Sequence, residues 1–303
     1  MVLKISILLT FALITSVVHA HDSPSHTIDE LSRHTHLTSD QLHQRSIAHR
    51  ATGHTRLAIA DLQAAIREQP SQLGLHLELA RTQLSAKHPT EVLKSTQQAL
   101  KLATTPTERA TIHILRAEAY QLDKKPKLSL SATQLAFREI PEGKIEWYLL
   151  RSENQRVLEL KNQRVTDLET GLNQHPSAVL RSHWIDALID AAQYTEALRE
   201  VDLELADRRW KSSYLIKRAR ALTGLHRKKE AAADLQAALA EIAPRIHPTR
   251  PDLLLLADQA RAHAMLGNDA EAQATLKQLR EHHAPEWILR GGGFQPPRLQ
   301  KQK

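Results

Sequence analysis

The feature that most constrains this chain is a helical repeat with a period of about 34 residues. The segment ADLQAA occurs at residues 60–65 and again at residues 233–238. Related segments recur between and after these copies, including QRVTDLETGLNQHP and EAQATLKQLRE, and a second helical pattern precedes each of them. A period of this length holds two helices joined by a turn, and one such pair cannot bury its apolar face without neighbours. The period therefore predicts an all-α stack of helical hairpins.

Seven such units account for most of the chain. Their predicted starts lie near Ser39, Leu73, Ala110, Ile145, Ala178, Ser212 and Leu253. Aromatic residues make up only 4% of the chain, and alternating runs of β-branched residues are scarce, so we expect no sheet. In both ADLQAA copies the Leu and the last Ala are predicted to face the core, and the Asp and Gln to face solvent.

Small residues recur where closely packed helices would cross. In the first helix of each unit the expected crossing residues are Ser46, Ala80, Ala117, Ser152, Ile185, Ala219 and Ala260. Early in the second helix they are Ala58, Val92, Ser129, Arg164, Ala197, Ala231 and Ala272. Proline closes units at Pro70, Pro141 and Pro176. Units four and five fit this pattern least well, because bulky side chains stand at several of these positions.

This pattern of small residues, large residues and prolines resembles that of the tetratricopeptide repeat (TPR) family over residues 39 to about 285. The resemblance implies a right-handed α-solenoid of about seven units, extending over residues 39–287, with a concave groove lined by the first helices. It also implies a scaffold or adaptor that binds a protein partner, as a peptide or a helix, in that groove. The predicted groove residues are Arg50, Arg81, Glu118, Gln121, Glu153, Arg156, Asp186, Arg220 and Arg261. The asparagines with which some family members hold a terminal carboxylate are missing, so that activity is not implied.

The motifs of several enzyme classes are missing from the sequence. It holds no glycine-rich nucleotide fingerprint, no phosphate-binding Gly-Lys-Ser/Thr loop, no Gly-x-Ser-x-Gly elbow and no His-Glu-x-x-His pair. Cysteine is absent as well, which excludes disulfides, thiolate metal sites and cysteine nucleophiles. We therefore predict a protein that is not an enzyme and needs no cofactor. The formal net charge of +7 is mildly basic and does not by itself indicate a nucleic-acid partner.

The ends of the chain differ from the repeats. Residues 1–20 have a lysine, an apolar run and a small-residue ending, which is the pattern of a signal peptide cleaved after Ala20. We expect a mature protein that is exported, to the periplasm or beyond, and does not span a membrane. Residues 21–38 form a histidine-rich and partly flexible leader, in which residues 27–36 are predicted to form a short capping helix. Residues 288–303 are predicted to be a disordered basic tail.

Two other functions remain open at this stage. The leader offers His21, His34 and His36 as ligands for copper or zinc, although their spacing matches no recognised ligand set. An anionic envelope polymer is the other possible ligand, and its binding site would be a basic cluster in units five and six. That cluster comprises Arg208, Arg209, Lys211, Lys217, Arg218, Arg220, Arg227, Lys228 and Lys229.

Overall fold

A computed structural model describes residues 23–289 of the chain, apart from the side chains of residues 286 and 287. All regular structure in this range is helical, as predicted. The α-helices in chain order are α1 (Pro24–Leu31), α2 (Ser39–Ala51), α3 (Thr55–Glu68), α4 (Leu73–Ser85), α5 (Pro89–Leu102), α6 (Pro106–Leu122), α7 (Pro126–Glu139), α8 (Ile145–Val157), α9 (Lys161–Gln174), α10 (Ala178–Asp190), α11 (Tyr194–Asp207), α12 (Ser212–Gly224), α13 (Lys228–Ile242), α14 (Leu253–Leu266), α15 (Asp269–Glu281) and α16 (Glu286–Leu289).

Helices α2 to α15 follow one another as seven pairs, so the chain is an all-α repeat solenoid. The third pair begins earlier than predicted, at Pro106 rather than near Ala110. Thr105 and Glu108 explain the extra turn, because the Glu108 carboxylate accepts hydrogen bonds from the backbone N–H groups of Thr104 and Thr105 at 2.8 and 2.9 Å. The Thr105 hydroxyl accepts one in return from the Glu108 N–H at 3.2 Å. This reciprocal cap starts the helix one turn sooner.

The chain divides into two compact units, one ending at Leu122 and the other beginning at Asp123. The core of the first unit includes Leu62, Leu75 and Leu79. The core of the second unit includes Leu168 and Leu188. In both units the predicted crossing residues of the first helices are at most 2% exposed. Within each unit, close approach of the first and second helices of a repeat, such as α2 with α3 or α12 with α13, therefore has the expected cause.

The prediction for ADLQAA is correct at the Leu, the Gln and the last Ala, but wrong at the Asp. Asp61 and Asp234 are only 6% and 7% exposed. Asp61 accepts two hydrogen bonds from the Arg45 guanidinium, at 2.8 and 2.6 Å, and Asp234 accepts two from Arg218, at 2.8 and 2.7 Å. Each pair joins the first helix of a hairpin to its second helix. A buried carboxylate is stable here because a bidentate guanidinium replaces the lost water.

In the described chain, a residue with positive φ follows the first helix of each repeat, before the second helix begins. These residues are Gly53, Lys87, Lys124, Glu159, Ala192, His226 and Gly267, with φ between 54° and 80°. Left-handed backbone lets the chain reverse within three residues or fewer. Only two of the seven are glycines, so the other five hairpins adopt a conformation that costs an L-residue about 1 kcal/mol.

The two ends of the described region also differ from prediction. The short helix of the leader is α1, which begins at Pro24 rather than at Thr27, because the Ser23 hydroxyl accepts a hydrogen bond from the His26 N–H at 3.3 Å. Near the other end, Ile288 and Leu289 belong to α16, so the predicted disordered tail does not begin at residue 288. The rest of that tail, the predicted signal peptide and His21 lie outside the described residues.

Candidate functional site

The first helices of the second unit place charged side chains in register. Glu153, Asp186, Arg220 and Arg261 each lie eight residues after the start of α8, α10, α12 and α14. Neighbouring first helices in this unit approach each other directly, α8 with α10, α10 with α12 and α12 with α14. The equivalent side chains can therefore interact across repeat boundaries, as the sequence pattern predicts for a groove.

Arg220 and Lys217 form the centre of this region. The Arg220 guanidinium donates to Asp186 at 2.7 Å through one nitrogen and to Asp190 at 2.8 Å through another. The Lys217 ammonium also donates to Asp186, and to the Ser182 carbonyl at 3.1 Å. Two cations from α12 thus bind two carboxylates from α10, and the contacts join repeat six to repeat five.

Arg164 extends this network to repeat four. It occupies a position on α9 where other repeats have small residues, and its side chain is only 5% exposed. Its guanidinium donates to the Ser152 hydroxyl at 3.0 Å and to Asp190 at 2.7 Å. Unit four therefore departs from the repeat pattern at position 164 because the arginine there connects neighbouring repeats.

At the other side of the network, Arg261 of α14 donates to Asp258 at 2.7 Å. We call this group the charged floor; its members are Arg164, Asp186, Asp190, Lys217, Arg220, Asp258 and Arg261. Four of these side chains are cations and three are carboxylates, so the formal net charge of the seven is +1. Sequence reasoning predicted Asp186, Arg220 and Arg261 as groove residues, assigned Lys217 to the basic cluster instead, and did not predict Arg164, Asp190 or Asp258 as groove residues. The spacing of Lys217 and Asp258, three residues before Arg220 and Arg261, would have indicated a second charged row.

Burial shifts the ionisation of several of these groups. Burial opposes ionisation of Asp186, but Lys217 and Arg220 outweigh it and hold its pKa well below the usual range. Burial lowers the pKa of Lys217, although Asp186 acts against this shift. Burial raises the pKa of Asp258, with Arg261 opposing. In each of the three groups burial disfavours the charged form, and an opposite charge nearby favours it.

Two further groups border the charged floor on the same helices. Glu153 and Arg156 form a bidentate pair at 2.8 and 2.7 Å, and both remain partly exposed. His183 on α10 is exposed to solvent, yet desolvation by its surroundings lowers its pKa, so its ring is favoured in the neutral form. These side chains are accessible to solvent, whereas most of the charged floor is half-buried.

The first unit has a smaller set of the predicted residues. Arg50 and Arg81 both bind Glu78, at 2.8 and 3.4 Å. Burial raises the pKa of Glu118, and the positive charge of Arg81 opposes this shift. Gln121 is exposed near the end of α6. The predicted groove charges of this unit thus interact mainly with one another.

In the structure, several members of the predicted basic cluster are paired with carboxylates. Arg208 binds Glu204, Arg218 binds Asp234 and Asp202, and Arg227 binds Glu230. Lys217 and Arg220 belong to the charged floor. The remaining members are exposed: Arg209, Lys211, Lys228 and Lys229. Most of the positive charge that the sequence suggested for an anionic polymer is therefore neutralised by neighbouring carboxylates.

Two of the predicted metal-ligand histidines of the leader, His34 and His36, lie within the described residues 23–289. His34 and His36 are exposed. In that range no three histidine, aspartate or glutamate side chains are arranged to hold a metal ion. None of the helices in the same range has the length and apolar character needed to cross a membrane.

Comparison with known proteins identifies the fold. No family model and no curated protein matches the chain. A tetratricopeptide repeat protein from Parabacteroides merdae superposes with a TM-score of 0.64 at 18% identity, over 83% of this chain and 96% of that one. Part of a TPR repeat-containing protein from Cytophaga hutchinsonii superposes with a TM-score of 0.57 at 11% identity, over 82% of this chain and 98% of that one.

A third similar structure is YrrB, described as a TPR protein with an unusual peptide-binding site. It superposes with a TM-score of 0.52 at 14% identity, over 59% of this chain and 91% of YrrB. At such identities the likeness shows the fold and leaves the ligand open. The chain is therefore a repeat solenoid of the tetratricopeptide type.

Proposed function

We propose that the protein is a non-enzymatic interaction scaffold, and that the charged floor of its second unit binds a segment of a partner protein. One observation supports this most strongly. Charged side chains from two first helices, α10 and α12, and one second helix, α9, pair with each other across repeat boundaries, and several members of the charged floor stay accessible. Asp190 is 24% exposed, Asp186 20% and Arg261 18%.

Such a surface suits a polar partner segment. The side chains are held in place by their mutual contacts, so little conformational entropy is lost when a partner binds. A partner that brings its own charges can replace individual ion pairs, and a wrong charge pattern is rejected because half-buried groups are left unpaired. The excess positive charge favours a segment with net negative charge. The fold supports the proposal in general terms, since the similar protein YrrB is described as binding peptide.

The bordering pair Glu153–Arg156 allows a clean test. We expect the double substitution Glu153→Ala with Arg156→Ala to weaken partner binding at least tenfold, because it removes the accessible charges beside the floor. Removing both partners together leaves no unpaired charge, so the fold is retained. The matched control is Arg227→Ala with Glu230→Ala, an exposed bidentate pair of the same spacing at 2.7 Å at the start of α13.

The partner itself is found by site-specific crosslinking. A photo-crosslinking amino acid at position 183 is expected to capture a protein in the cells that make this chain, and the same group at position 226, in an exposed turn, is not. The affinity of the captured protein for both double variants is then measured by calorimetry. Capture at neither position, or equal loss of affinity in both variants, would show that the charged floor is not the binding surface.

We also propose that the protein acts after export, with cleavage following Ala20. Support comes from the apolar run and small-residue ending of residues 1–20. Mass spectrometry of the protein from its native cells is expected to show His21 as the first residue. A mature protein that still contains residues 1–20 would contradict export by this route.

A further inference from the structure

The second unit also has a groove with apolar side chains, and none of its lining residues belongs to the charged floor. The residues lining it are Lys127, Leu130, Ser131 and Gln134 of α7, and Leu158 and Leu160 of the turn between α8 and α9. Its volume is about 290 Å³. The four α7 residues follow the i, i+3, i+4, i+7 spacing of one helix face, so they form a continuous wall.

Exposed aliphatic side chains also lie close to this groove along the chain. Leu160 lines it, Val157 precedes the lining residue Leu158, and Leu128 and Leu135 each follow a wall residue of α7. Leu128 is 46% exposed, Leu135 38%, Val157 51% and Leu160 37%. Single exposed leucines are common on protein surfaces, but several on one helix and the adjoining turn form a patch of the kind that marks interaction sites. Apolar surface is therefore concentrated where a groove is also present.

The repeat register shows that this composition is particular to repeat three and the turn of repeat four. At the position of Leu128 the other second helices have Leu57, Glu91, Gln163, Glu196, Glu230 and Glu271. At the position of Leu135 they have Ala64, Gln98, Thr170, Leu203, Ala237 and Gln278. At the position of Leu160 they have His54, His88, Lys125, Gln193, Arg227 and Asn268. Stacking of repeats does not require leucine at these places, since repeats two, six and seven have leucine at none of them.

The charges around the groove are mostly positive. Lys127 lies in the wall itself, and Lys124 and Lys125 precede it in the turn before α7. Lys125 binds Asp123 at 2.7 Å and Lys161 binds Glu159 at 3.6 Å. No carboxylate of the described region lies within ion-pair distance of Lys124 or Lys127. The rim thus attracts acidic groups and repels the basic residues at the end of this chain, Arg298, Lys301 and Lys303.

We propose that this groove is a second binding surface, which takes a short amphipathic segment of another protein with apolar side chains in the groove and Asp or Glu beside the lysines. A helical segment with apolar residues on one face fits the elongated α7 wall. The acidic flanks of such a segment provide orientation and specificity, and the leucines provide most of the buried apolar area. The surface involves no residue of the charged floor.

The test is a selection from a library of random 16-residue peptides displayed on phage, with the immobilised full chain as the target. Enriched peptides are expected to carry apolar residues at helical spacing and an excess of Asp and Glu. Their affinity is measured by fluorescence anisotropy against the chain and the double variant Leu128→Gln with Leu135→Gln. Both leucines are exposed, so the variant keeps the fold, and we expect binding to weaken at least tenfold.

The matched control is Leu57→Gln with Leu203→Gln, which changes exposed leucines at the same two helix positions in other repeats. This control is expected to bind the peptides as the unchanged chain does. Lys127→Glu is expected to weaken binding more at low salt than at high salt. The proposal is overturned if the enriched peptides lack acidic residues, if no peptide is enriched, or if both double variants bind equally.

Association of the chain with itself is a separate outcome. Sedimentation of the chain and of the Leu128/Leu135 variant distinguishes it, because a dimer that the variant abolishes would assign the groove to a second copy and overturn the proposal. Failure of the charged floor as a binding surface leaves these measurements unaffected, since the Glu153/Arg156 variant does not alter the groove.

Discussion

Repeats one and four solve the same packing problem in different ways. Repeat one has Ala58 where its helices cross, and its buried ion pair, Arg45–Asp61, stays within the hairpin. Repeat four has Arg164 at the equivalent position, and that arginine binds Asp190 in the next repeat. Repeat four keeps a pair within its hairpin too, since Arg151 and Asp167 lie 3.1 Å apart.

The difference is between an ion pair within one hairpin and an ion pair between two neighbouring repeats. An ion pair within a hairpin stabilises that hairpin but does not link it to the next repeat. A pair between hairpins fixes their relative position, and it brings charges onto the surface that the first helices present. The departure from the repeat pattern in repeat four therefore extends the charged floor from repeats five and six to repeat four.

The largest expected effect comes from making repeat one resemble repeat four. Ala58→Arg places a guanidinium at a fully buried position that has no carboxylate in the next repeat, because Ser85 stands where α10 has Asp190. We expect the free energy of unfolding to fall by about 4 kcal/mol, as for other unpaired buried charges. Urea denaturation followed by circular dichroism measures the loss.

Adding Ser85→Asp supplies the missing carboxylate and is expected to recover part of that loss. Ser85 is exposed, so this substitution alone should change stability little. No recovery in the double variant would mean that the inter-repeat pair of repeat four depends on more than these two positions.

A smaller effect is expected from acid. Lys217 and Arg220 hold the pKa of Asp186 below its unfolded value, so ionised Asp186 stabilises the fold above pH about 4, and this contribution is lost as the pH falls further. Asp186→Asn should lower stability at pH 7 and flatten the decline of stability between pH 5 and pH 2. Asp207→Asn, at an exposed position on α11, is the control and should leave the decline unchanged. An equally steep decline in Asp186→Asn would contradict this role.

The smallest effect is expected within a hairpin. Asp61→Asn keeps the shape of the side chain but loses the charge that Arg45 binds, at a cost of about 1 kcal/mol in the free energy of unfolding. Asp234→Asn should cost no more, because Arg218 also binds Asp202 at 3.0 Å and keeps that carboxylate. Thermal unfolding of both variants checks the order. A larger loss in Asp234→Asn would show that the pairs are not equivalent.

The fold was largely predictable because periodicity is a local property of the sequence. Small residues such as Ala80 and Ala219 sit where helices cross for a steric reason that any single repeat reveals. The burial of Asp61 was not predicted, because a carboxylate on an amphipathic helix is normally assigned to solvent. Its partner lies 16 residues earlier on the other helix of the hairpin, and the same spacing joins Arg151 to Asp167 and Arg218 to Asp234.

The candidate site was only partly predictable for a related reason. Equivalent positions on first helices identified Asp186, Arg220 and Arg261, since the register alone places them together. Arg164 was missed because it stands on a second helix, at a place where the repeat pattern expects a small side chain. Contacts between repeats depend on how two neighbouring repeats pack. The spacing of residues within one hairpin does not determine that packing.

The left-handed turns of the hairpins have one more consequence. Glycine would adopt that conformation without steric cost, and the chain uses it only at Gly53 and Gly267. At the other five tips the chain accepts the cost and displays a side chain there: lysine twice, glutamate, alanine and histidine. Because these five tips share a similar left-handed φ, their side chains can be exchanged without altering the turn. The surface that the tips display can therefore change while the helical scaffold stays constant.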